Sequence, residues 1–181
     1  MATLSNILDY SSGKTRVLIY STHSSISKLV LQTLADAGRN VDFFLADGTF
    51  KKEENDFVIL ETADVYKAAQ FEPTIMFASN EMSVEDILSV SRNITPGGAL
   101  IFPLTMENDL DDSANFFRKL PFSAATVENK NGRFFLSTEM GPVPLATKEE
   151  ILFQNFDGIQ ILLQQFGVLA GDFFEVLLTF E

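Results

Sequence analysis

Short apolar runs alternate with amphipathic helical segments along most of this chain, and this alternation limits its fold more than any other feature. Four runs have the continuous apolar character of buried strands: 16–20, 57–60, 74–78 and 99–102. Helical apolar spacing is clearest at 24–37 and 84–93, which lie between such runs. Continuous apolar strands separated by helices are typical of a parallel sheet covered on both faces. The alternation therefore predicts a three-layer α/β fold with a mainly parallel sheet.

The pattern of the chain changes after residue 112. The dipeptide Asn131-Gly132 separates two strand-like runs and predicts a β-hairpin toward the edge of the sheet. The other expectations here are a short helix at 113–119, strands at 122–127 and 133–137, and helices at 148–166 and 172–180. No repeat or long linker divides the chain, so we expect a single domain over 1–181.

Composition excludes several kinds of function. Acidic residues outnumber basic ones by 25 to 13, so the net charge is −12, which argues against nucleic acid or an anionic membrane as partner. The chain has no cysteine and a single histidine, His23, so thiolate chemistry and any site that needs two histidines are excluded. No apolar run is long enough to cross a membrane, and the start does not resemble a secretory signal. We therefore expect a cytoplasmic protein.

Hydroxyl side chains crowd the segment after the first predicted strand. Residues 21–27 read Ser-Thr-His-Ser-Ser-Ile-Ser and contain no glycine, and Lys28 lies a full turn beyond the place of a phosphate-binding lysine. Two interpretations stay open: the serines only cap the following helix, with Ser24 as N-cap, or they also bind an anion. The usual glycine fingerprint for NAD or FAD is absent.

A carboxylate, Glu61, ends the predicted strand at 57–60. Nucleotide enzymes often keep a magnesium-ordering acid at such a strand end, but Asp47 and Asp64 also follow strands here. An acid at this place is more often a loop or cap residue than a functional one.

Four segments appear in a familiar order. They are the hydroxyl-rich stretch 21–27, the strand ending in Glu61, the stretch 73–80 ending in Asn80, and the helical pair Gln154-Asn155. In this order and spacing the chain resembles the central, ATP-binding domain of the Mur ligase family. It is most similar to the branch that joins UDP-N-acetylmuramate to alanine or to a recycled murein peptide.

The resemblance also shows where this chain departs from the family. In the family loop Gly-Thr-x-Gly-Lys-Thr-Thr, Thr22 and His23 fit, whereas Ser21 and Ser24 replace the glycines and Ser25 replaces the lysine. An Asp-His pair that follows the family asparagine is replaced here by Glu-Met, and a histidine before Asn155 by glutamine. The resemblance thus implies a degenerate phosphate-binding loop.

These departures shape the functional expectation. The resemblance implies a relic nucleotide site at Ser21–Ser25 and Asn155, and a relic metal ligand at Glu61 that has lost its partner. No cofactor is expected, although weak binding of ATP with magnesium, or of another anion, stays open. We expect a non-catalytic binding or interaction module linked to peptidoglycan metabolism, acting with a protein partner or as a homo-oligomer.

Two other interpretations remain at this point. One is a component of an ATP-dependent ligase that joins UDP-N-acetylmuramate to an amino acid or peptide, which the missing lysine opposes. The other is a methyltransferase-like domain, suggested by the Pro-Gly-Gly turn at 96–98 before a strand. Such a turn is common by itself.

Overall fold

A seven-stranded sheet lies at the centre of the molecule, in a computed structural model that describes residues 3–110 and 116–181. Its strands are β1 (Thr15–Tyr20), β2 (Asp42–Phe44), β3 (Phe50–Lys51), β4 (Phe57–Thr62), β5 (Ile75–Ala78), β6 (Ala99–Pro103) and β7 (Arg118–Phe122). Their spatial order is β3-β2-β4-β1-β5-β6-β7, and all neighbours are parallel except β2 and β3. The mainly parallel sheet predicted from the sequence is confirmed.

Helices cover both faces of this sheet. They are α1 (Leu4–Tyr10), α2 (Ser24–Asp36), α3 (Val65–Gln70), α4 (Val84–Ser91), a 3-10 helix (Leu104–Leu110), α5 (Glu150–Gln165) and α6 (Ala170–Leu177). The apolar side chains of α2, α5 and α6 pack on one face, and those of α1, α3, α4 and the 3-10 helix pack on the other. Among the described residues, no helix is long and apolar enough to span a membrane.

Two hydrophobic cores result from the alternation of side chains along the strands. In β1, Val17 and Ile19 belong to the core beneath α2, whereas Leu18 and Tyr20 belong to the opposite core. All four are fully buried. A strand with both faces covered needs apolar residues throughout, which explains the continuous apolar runs of the sequence.

A separate three-stranded antiparallel sheet follows the main one, with strands β8 (Val127–Lys130), β9 (Arg133–Thr138) and β10 (Gly141–Leu145). The turn between β8 and β9 has positive φ at both Asn131 (55°) and Gly132 (82°), as a type I′ hairpin requires. The predicted hairpin is therefore confirmed. Its expected place at the edge of the main sheet is wrong, because Phe134 and Leu136 of β9 pack instead onto the core around α5.

Two local expectations in this half are also wrong. In the segment predicted to be a helix over 113–119, residues 113–115 lie outside the described residues, and Arg118 begins β7, a strand parallel to β6. The strand expected over 122–127 is divided, since Phe122 ends β7 and Val127 begins β8. Contacts between distant parts of the chain explain both differences, because residues 118–122 pair with β6 as a strand. The buried Phe122 ring at the end of this strand stacks on Phe77 of β5, with ring centroids 5.8 Å apart.

Candidate functional site

The site is a crevice where β1 and β5 end side by side. Tyr20 at the end of β1 is the register partner of Ala78 at the end of β5. From there the β1–α2 loop (residues 21–23) leads to a helix on one face, and the β5–α4 loop (residues 79–83) leads to a helix on the other. In open α/β sheets, ligands bind where neighbouring strands diverge in this way.

One carboxylate, that of Glu81, joins the two loops. Its Oε1 accepts hydrogen bonds from the Ser21 hydroxyl at 2.6 Å, the Thr22 backbone N–H at 3.0 Å and the Thr22 hydroxyl at 3.3 Å. Its Oε2 accepts a hydrogen bond from the Ser79 hydroxyl. Ser21 and Ser79 are both buried, so the carboxylate replaces water as the acceptor for two hydroxyls at the sheet edge.

These hydrogen bonds also set the acidity of Glu81. Partial burial of the carboxylate opposes its ionisation, but hydrogen bonds from Ser21, Ser79 and the backbone N–H groups of Glu81 and Thr22 outweigh burial and lower the pKa of Glu81 below its ordinary value. The crevice therefore carries a negative charge contributed by the protein itself.

The other loop residues predicted for an anion site, residues 23–25, make no hydrogen bond to Glu81. His23, not Ser24, is the N-cap of α2, and its side chain makes no capping hydrogen bond. The backbone N–H of His23 instead donates a hydrogen bond to the hydroxyl oxygen of Ser21 at 3.0 Å. His23 and Ser24 are exposed and Ser25 is half-buried, and none of these three side chains has a hydrogen-bond partner within 3–110 and 116–181. The structure thus brings Ser21 and Thr22 into contact with Glu81, whereas the side chains of His23 and Ser24 are exposed and that of Ser25 is half-buried.

Glu61, the predicted metal ligand, lies in a different place and is not short of partners. It is buried, and its carboxylate accepts hydrogen bonds from the Ser27 hydroxyl of α2 at 2.8 Å and from the Ala46 backbone N–H at 3.0 Å. Glu61 is therefore engaged within the fold itself, whereas its expected role as a relic metal ligand without a metal-site partner stays a prediction. Since β4 and β5 flank β1 on opposite sides, Glu61 and Glu81 belong to separate networks.

Asn155 connects α5 to the same edge of the sheet. It is fully buried, its Oδ1 accepts from the Asn80 backbone N–H at 2.9 Å, and its amide donates to the Ile151 carbonyl at 2.8 Å. The side-chain amide of the half-buried Asn80 donates in turn to Gln154 Oε1 at 3.3 Å. Asn155 thus holds the backbone of Asn80, immediately before Glu81, in place. Both ends of its side-chain amide are engaged in protein hydrogen bonds, so its observed contacts position the loop.

Metal ligands do not gather at this edge. Within the described part of the chain, no three histidine, cysteine, aspartate or glutamate residues come together to hold a metal ion. A small cavity of about 250 Å³ adjoins the site and is lined in part by Asn80 and Gln154. A larger cavity of about 510 Å³ lies away from the site between β9, α5 and α6, where burial raises the pKa of Asp157.

The Pro-Gly-Gly turn has a structural cause. Gly97 has a φ of 81°, which side chains rarely adopt, and a Cβ on Gly98 would lie 2.3 Å from the Thr74 carbonyl oxygen. The turn also precedes β6, so it lies at the edge of the sheet opposite the crevice. Backbone geometry therefore accounts for both glycines without a bound cofactor.

Sequence reasoning missed Ser79 and Glu81, the two residues that complete the cluster. The signal was nevertheless present: Glu81 follows the predicted strand at 74–78, and a parallel sheet brings strand ends to one edge. What the sequence did not provide was the strand order that makes β5 the neighbour of β1.

Comparisons with known proteins show which fold this is. No family model matches the chain, and no curated protein matches it in sequence. Solved structures match with a TM-score of 0.67 for a murein peptide ligase from Psychrobacter arcticus (13% identity over 93% of this chain) and 0.69 for MurF from Acinetobacter baumannii (14% over 98%). A UDP-N-acetylmuramate:L-alanyl-γ-D-glutamyl-meso-diaminopimelate ligase from Neisseria meningitides matches with a TM-score of 0.68 (13% identity over 98%).

This chain covers only part of those proteins. It spans about half the length of the first two, 47% and 48%, and 68% of the third. The TM-scores of 0.67–0.69 establish a shared architecture, and at identities of 13–14% the likeness shows nothing finer about substrate or activity. The chain therefore has a Mur-ligase-like α/β fold.

Proposed function

We propose that residues 1–181 form one non-catalytic, Mur-ligase-like domain that acts as a binding or interaction module in peptidoglycan metabolism. The link to peptidoglycan is supported by structural neighbours that include a murein peptide ligase and a UDP-N-acetylmuramate:L-alanyl-γ-D-glutamyl-meso-diaminopimelate ligase. The non-catalytic role is supported by the chemistry of this chain's own loop.

One observation supports the lack of catalysis most strongly: the crevice supplies an anion where phosphoryl transfer needs cations. Enzymes that activate a carboxylate with ATP neutralise the transferred phosphoryl group with a lysine and magnesium ions. Here Ser25 occupies the position of the family lysine, and the Glu81 carboxylate holds the donors of Ser21 and Thr22. A polyphosphate at this edge would meet a negative charge instead of a positive one.

The carboxylate best placed for magnesium is also engaged. Glu61 accepts hydrogen bonds from the Ser27 hydroxyl and from the Ala46 backbone N–H, so a metal ion would compete with both donors for the carboxylate oxygens. The Ser27 hydroxyl has a second acceptor, the Ser24 carbonyl oxygen at 3.0 Å.

The experiment is a magnesium-ATP turnover assay that measures ADP release. We expect no release above the protein-free rate from the wild type, with or without UDP-N-acetylmuramate and amino acids. The comparison variants are Glu61→Gln, which keeps the shape of the buried side chain, and Glu54→Gln, whose side chain is 81% exposed. Magnesium-dependent ADP release that Glu61→Gln abolishes and Glu54→Gln leaves intact would falsify the non-catalytic proposal.

The proposed interaction role concerns a protein partner or a second copy of the chain in the cytoplasm. Sedimentation velocity over a range of concentrations tests the second copy, since self-association raises the weight-average sedimentation coefficient with concentration. Because the chain carries a net charge of −12, a real homo-oligomer should also strengthen as salt screens the repulsion between copies. A coefficient that stays at the monomer value throughout would leave a different protein as the proposed partner.

A further inference from the structure

We propose that the cavity between β9, α5 and α6 is a docking site for a basic side chain of a protein partner, presented on a segment with apolar residues beside it. The inference rests on the proposed function in one respect, the role of the chain as an interaction module. It goes further by naming the surface and the chemistry of the partner. The cavity lies away from the crevice and shares none of its residues.

The cavity has the size and the anchored walls of a preformed binding site. Its volume is about 510 Å³, and ligand sites generally occupy roughly 300–1,000 Å³. Leu136, on the β9 wall, is buried in the hydrophobic core. On the opposite side, α6 is held against α5 by the Phe156 and Phe173 rings, whose centroids are 6.1 Å apart. The cavity therefore exists before any partner binds.

The lining of the cavity is negatively charged. It includes two carboxylates, Asp157 of α5 and Glu139 between β9 and β10, and no lysine or arginine is among its lining residues. Over residues 3–110 and 116–181, neither carboxylate takes part in a hydrogen bond or an ion pair. Charge complementarity thus points to a cationic occupant.

Asp157 distinguishes the cavity from an ordinary charged surface. Solvent reaches its side chain, yet the surrounding atoms desolvate the carboxyl group and raise its pKa above the ordinary value. No donor from the described part of the chain offsets this desolvation. A partner's cation beside Asp157 would offset it, and less water would screen that pair than at a fully solvated acid.

The rest of the lining suits the stem of a long basic side chain. Asp157, Gln160 and Ile161 lie three and four residues apart, so one face of α5 presents a carboxylate, an amide and an aliphatic group together. Phe174 of α6 adds an aromatic ring. Lysine and arginine combine an aliphatic stem with a charged head, and a lining that is apolar with one acid matches both parts.

Exposed apolar side chains at the rim favour a polypeptide over a free amine. Met140 lines the cavity and is 74% exposed, and Leu169, next to the lining residue Ala170, is 72% exposed. A small amine inside the cavity would leave both in water, whereas a segment with apolar residues beside its basic residue would cover them. The net charge of −12 attracts a basic partner at longer range and opposes a second copy of this chain.

The test is a titration with the blocked peptide acetyl-Leu-Lys-Leu-amide, followed by the ¹⁵N–¹H resonances of the Thr138 and Ala170 amides in the lining. In the wild type we expect saturable shifts with a dissociation constant of about 1 mM, the affinity of a single anchored side chain. Norleucine in place of the peptide lysine keeps an aliphatic stem without the charge and should weaken binding at least about tenfold. Butylamine, which lacks the apolar neighbours, should also bind at least about tenfold more weakly.

Variants of the chain test the carboxylate and the rim separately. Asp157→Asn should reduce the affinity for the lysine peptide to that for the norleucine peptide, and it should fold, because no donor loses its acceptor. The matched control, Glu150→Gln, removes an equal charge from an exposed position on the same helix and should bind as the wild type. Met140→Ala should weaken binding severalfold, whereas Leu178→Ala, at a 48% exposed position outside the lining, should not.

Several results would overturn the proposal. They are a wild type that ignores the lysine peptide at millimolar concentration, equal binding of the lysine and norleucine peptides, and equal effects of Asp157→Asn and Glu150→Gln. Butylamine binding as tightly as the peptide would overturn the polypeptide as occupant. None of these readouts depends on ATP turnover, so turnover could refute the non-catalytic proposal while the peptide still binds, and a failure to bind the peptide would leave the absence of turnover intact.

Discussion

At the scale of single residues, this chain keeps several carboxylates at or inside its sheet, and hydrogen-bond donors surround each one. Asp42 and Glu61 are buried, and Glu81 lies at the crevice. Their partners are hydroxyls, amides and backbone N–H groups, with a lysine only near Asp42, 3.7 Å away. Such acids organise loops, because a single carboxylate accepts from several chain segments at once.

Asp42 leads to a prediction about stability and pH. It accepts hydrogen bonds from the Tyr10 hydroxyl at 2.6 Å, the Glu53 and Asn55 backbone N–H groups at 2.8 and 2.9 Å, and the Asn55 amide at 2.8 Å. Burial opposes ionisation, but these hydrogen bonds outweigh burial and lower the pKa of Asp42. Asp42→Asn should therefore lower the free energy of unfolding at neutral pH by about 2–4 kcal/mol, because its amide N–H₂ faces other donors.

The pH dependence of this effect has a definite sign. A lowered folded-state pKa contributes stability that is complete above the unfolded value of about 3.9 and is lost as pH falls through the folded value. Urea unfolding at a series of acidic pH values should show this loss in the wild type and less of it in Asp42→Asn. The control is Asp56→Asn, at an exposed position nearby, which should follow the wild type. Equal pH profiles for wild type and Asp42→Asn would contradict the prediction.

Part of the site could be predicted from single residues and part could not. The β1–α2 loop could be located from the hydroxyl-rich residues 21–27, because serine and threonine between an apolar run and an amphipathic segment are a local sign of a helix start. The role of Glu81 depends on which strands are neighbours, and the partners of Glu61 depend on how α2 lies over β4; neither is local. Strand-end acids look alike in sequence, so Glu61 seemed more available to a metal than its buried contacts with Ser27 and Ala46 make it.

At the scale of elements, the close packing of α5 on the sheet depends on a glycine within the helix. Gly158 is buried and faces the ring of Phe122 at the end of β7. A Cβ there would lie 2.6 Å from the Phe122 ring, closer than real Cβ contacts allow. Packing against β7, and not helix propensity, therefore explains a glycine in the middle of α5.

Two glycine-to-alanine substitutions in helices should consequently have opposite effects. Gly158→Ala should lower the free energy of unfolding by about 1–3 kcal/mol, because the added methyl overpacks the α5–β7 contact. Gly171→Ala in α6 meets nothing within 4 Å, so the better helix propensity of alanine should raise stability by up to about 1 kcal/mol. Urea unfolding of both variants measures the two signs. Stabilisation by Gly158→Ala would show that the Phe122 ring moves aside freely.

Elements with strong local patterns were predictable, and those fixed by pairing were not. The central strands and α2, α4 and α5 follow from continuous apolar runs and helical spacing, and the hairpin follows from Asn131-Gly132. Strand β7 reads Arg-Lys-Leu-Pro-Phe, with polar residues and a proline, and has little strand character by itself. It pairs because it lies at the edge of the sheet, where proline is tolerated. The small sheet likewise depends on packing of β9 against α5, which no local motif encodes.

At the scale of the whole molecule, the Mur-ligase-like framework places two loops together regardless of their side chains. In the strand order β4-β1-β5, the connections after β1 and β5 leave toward opposite faces of the sheet. A crevice therefore forms between the β1–α2 and β5–α4 loops. The side chains there then decide which ligand fits. Residues 21–25 contain no glycine and no lysine, Glu81 lies at the crevice and the net charge is −12, so we expect this chain to disfavour a polyphosphate both locally and at long range.

Restoring the family loop tests whether the framework or Glu81 limits nucleotide binding. Ser24→Gly with Ser25→Lys introduces the glycine and the lysine that the sequence resemblance implies for these positions, but the Glu81 carboxylate would still hold Thr22 and would pair with the introduced lysine. We therefore expect the double variant to gain little ATP affinity by calorimetry with magnesium. Adding Glu81→Ala should improve affinity at least about tenfold over the double variant, or about 1.4 kcal/mol, whereas adding Glu85→Ala should not. Equal affinity of the double variant and of the triple variant that carries Glu81→Ala would mean that the Glu81 carboxylate does not limit nucleotide binding. A folded triple variant with no affinity at all would mean that the loop backbone, rather than its side chains, has diverged from a phosphate-binding geometry.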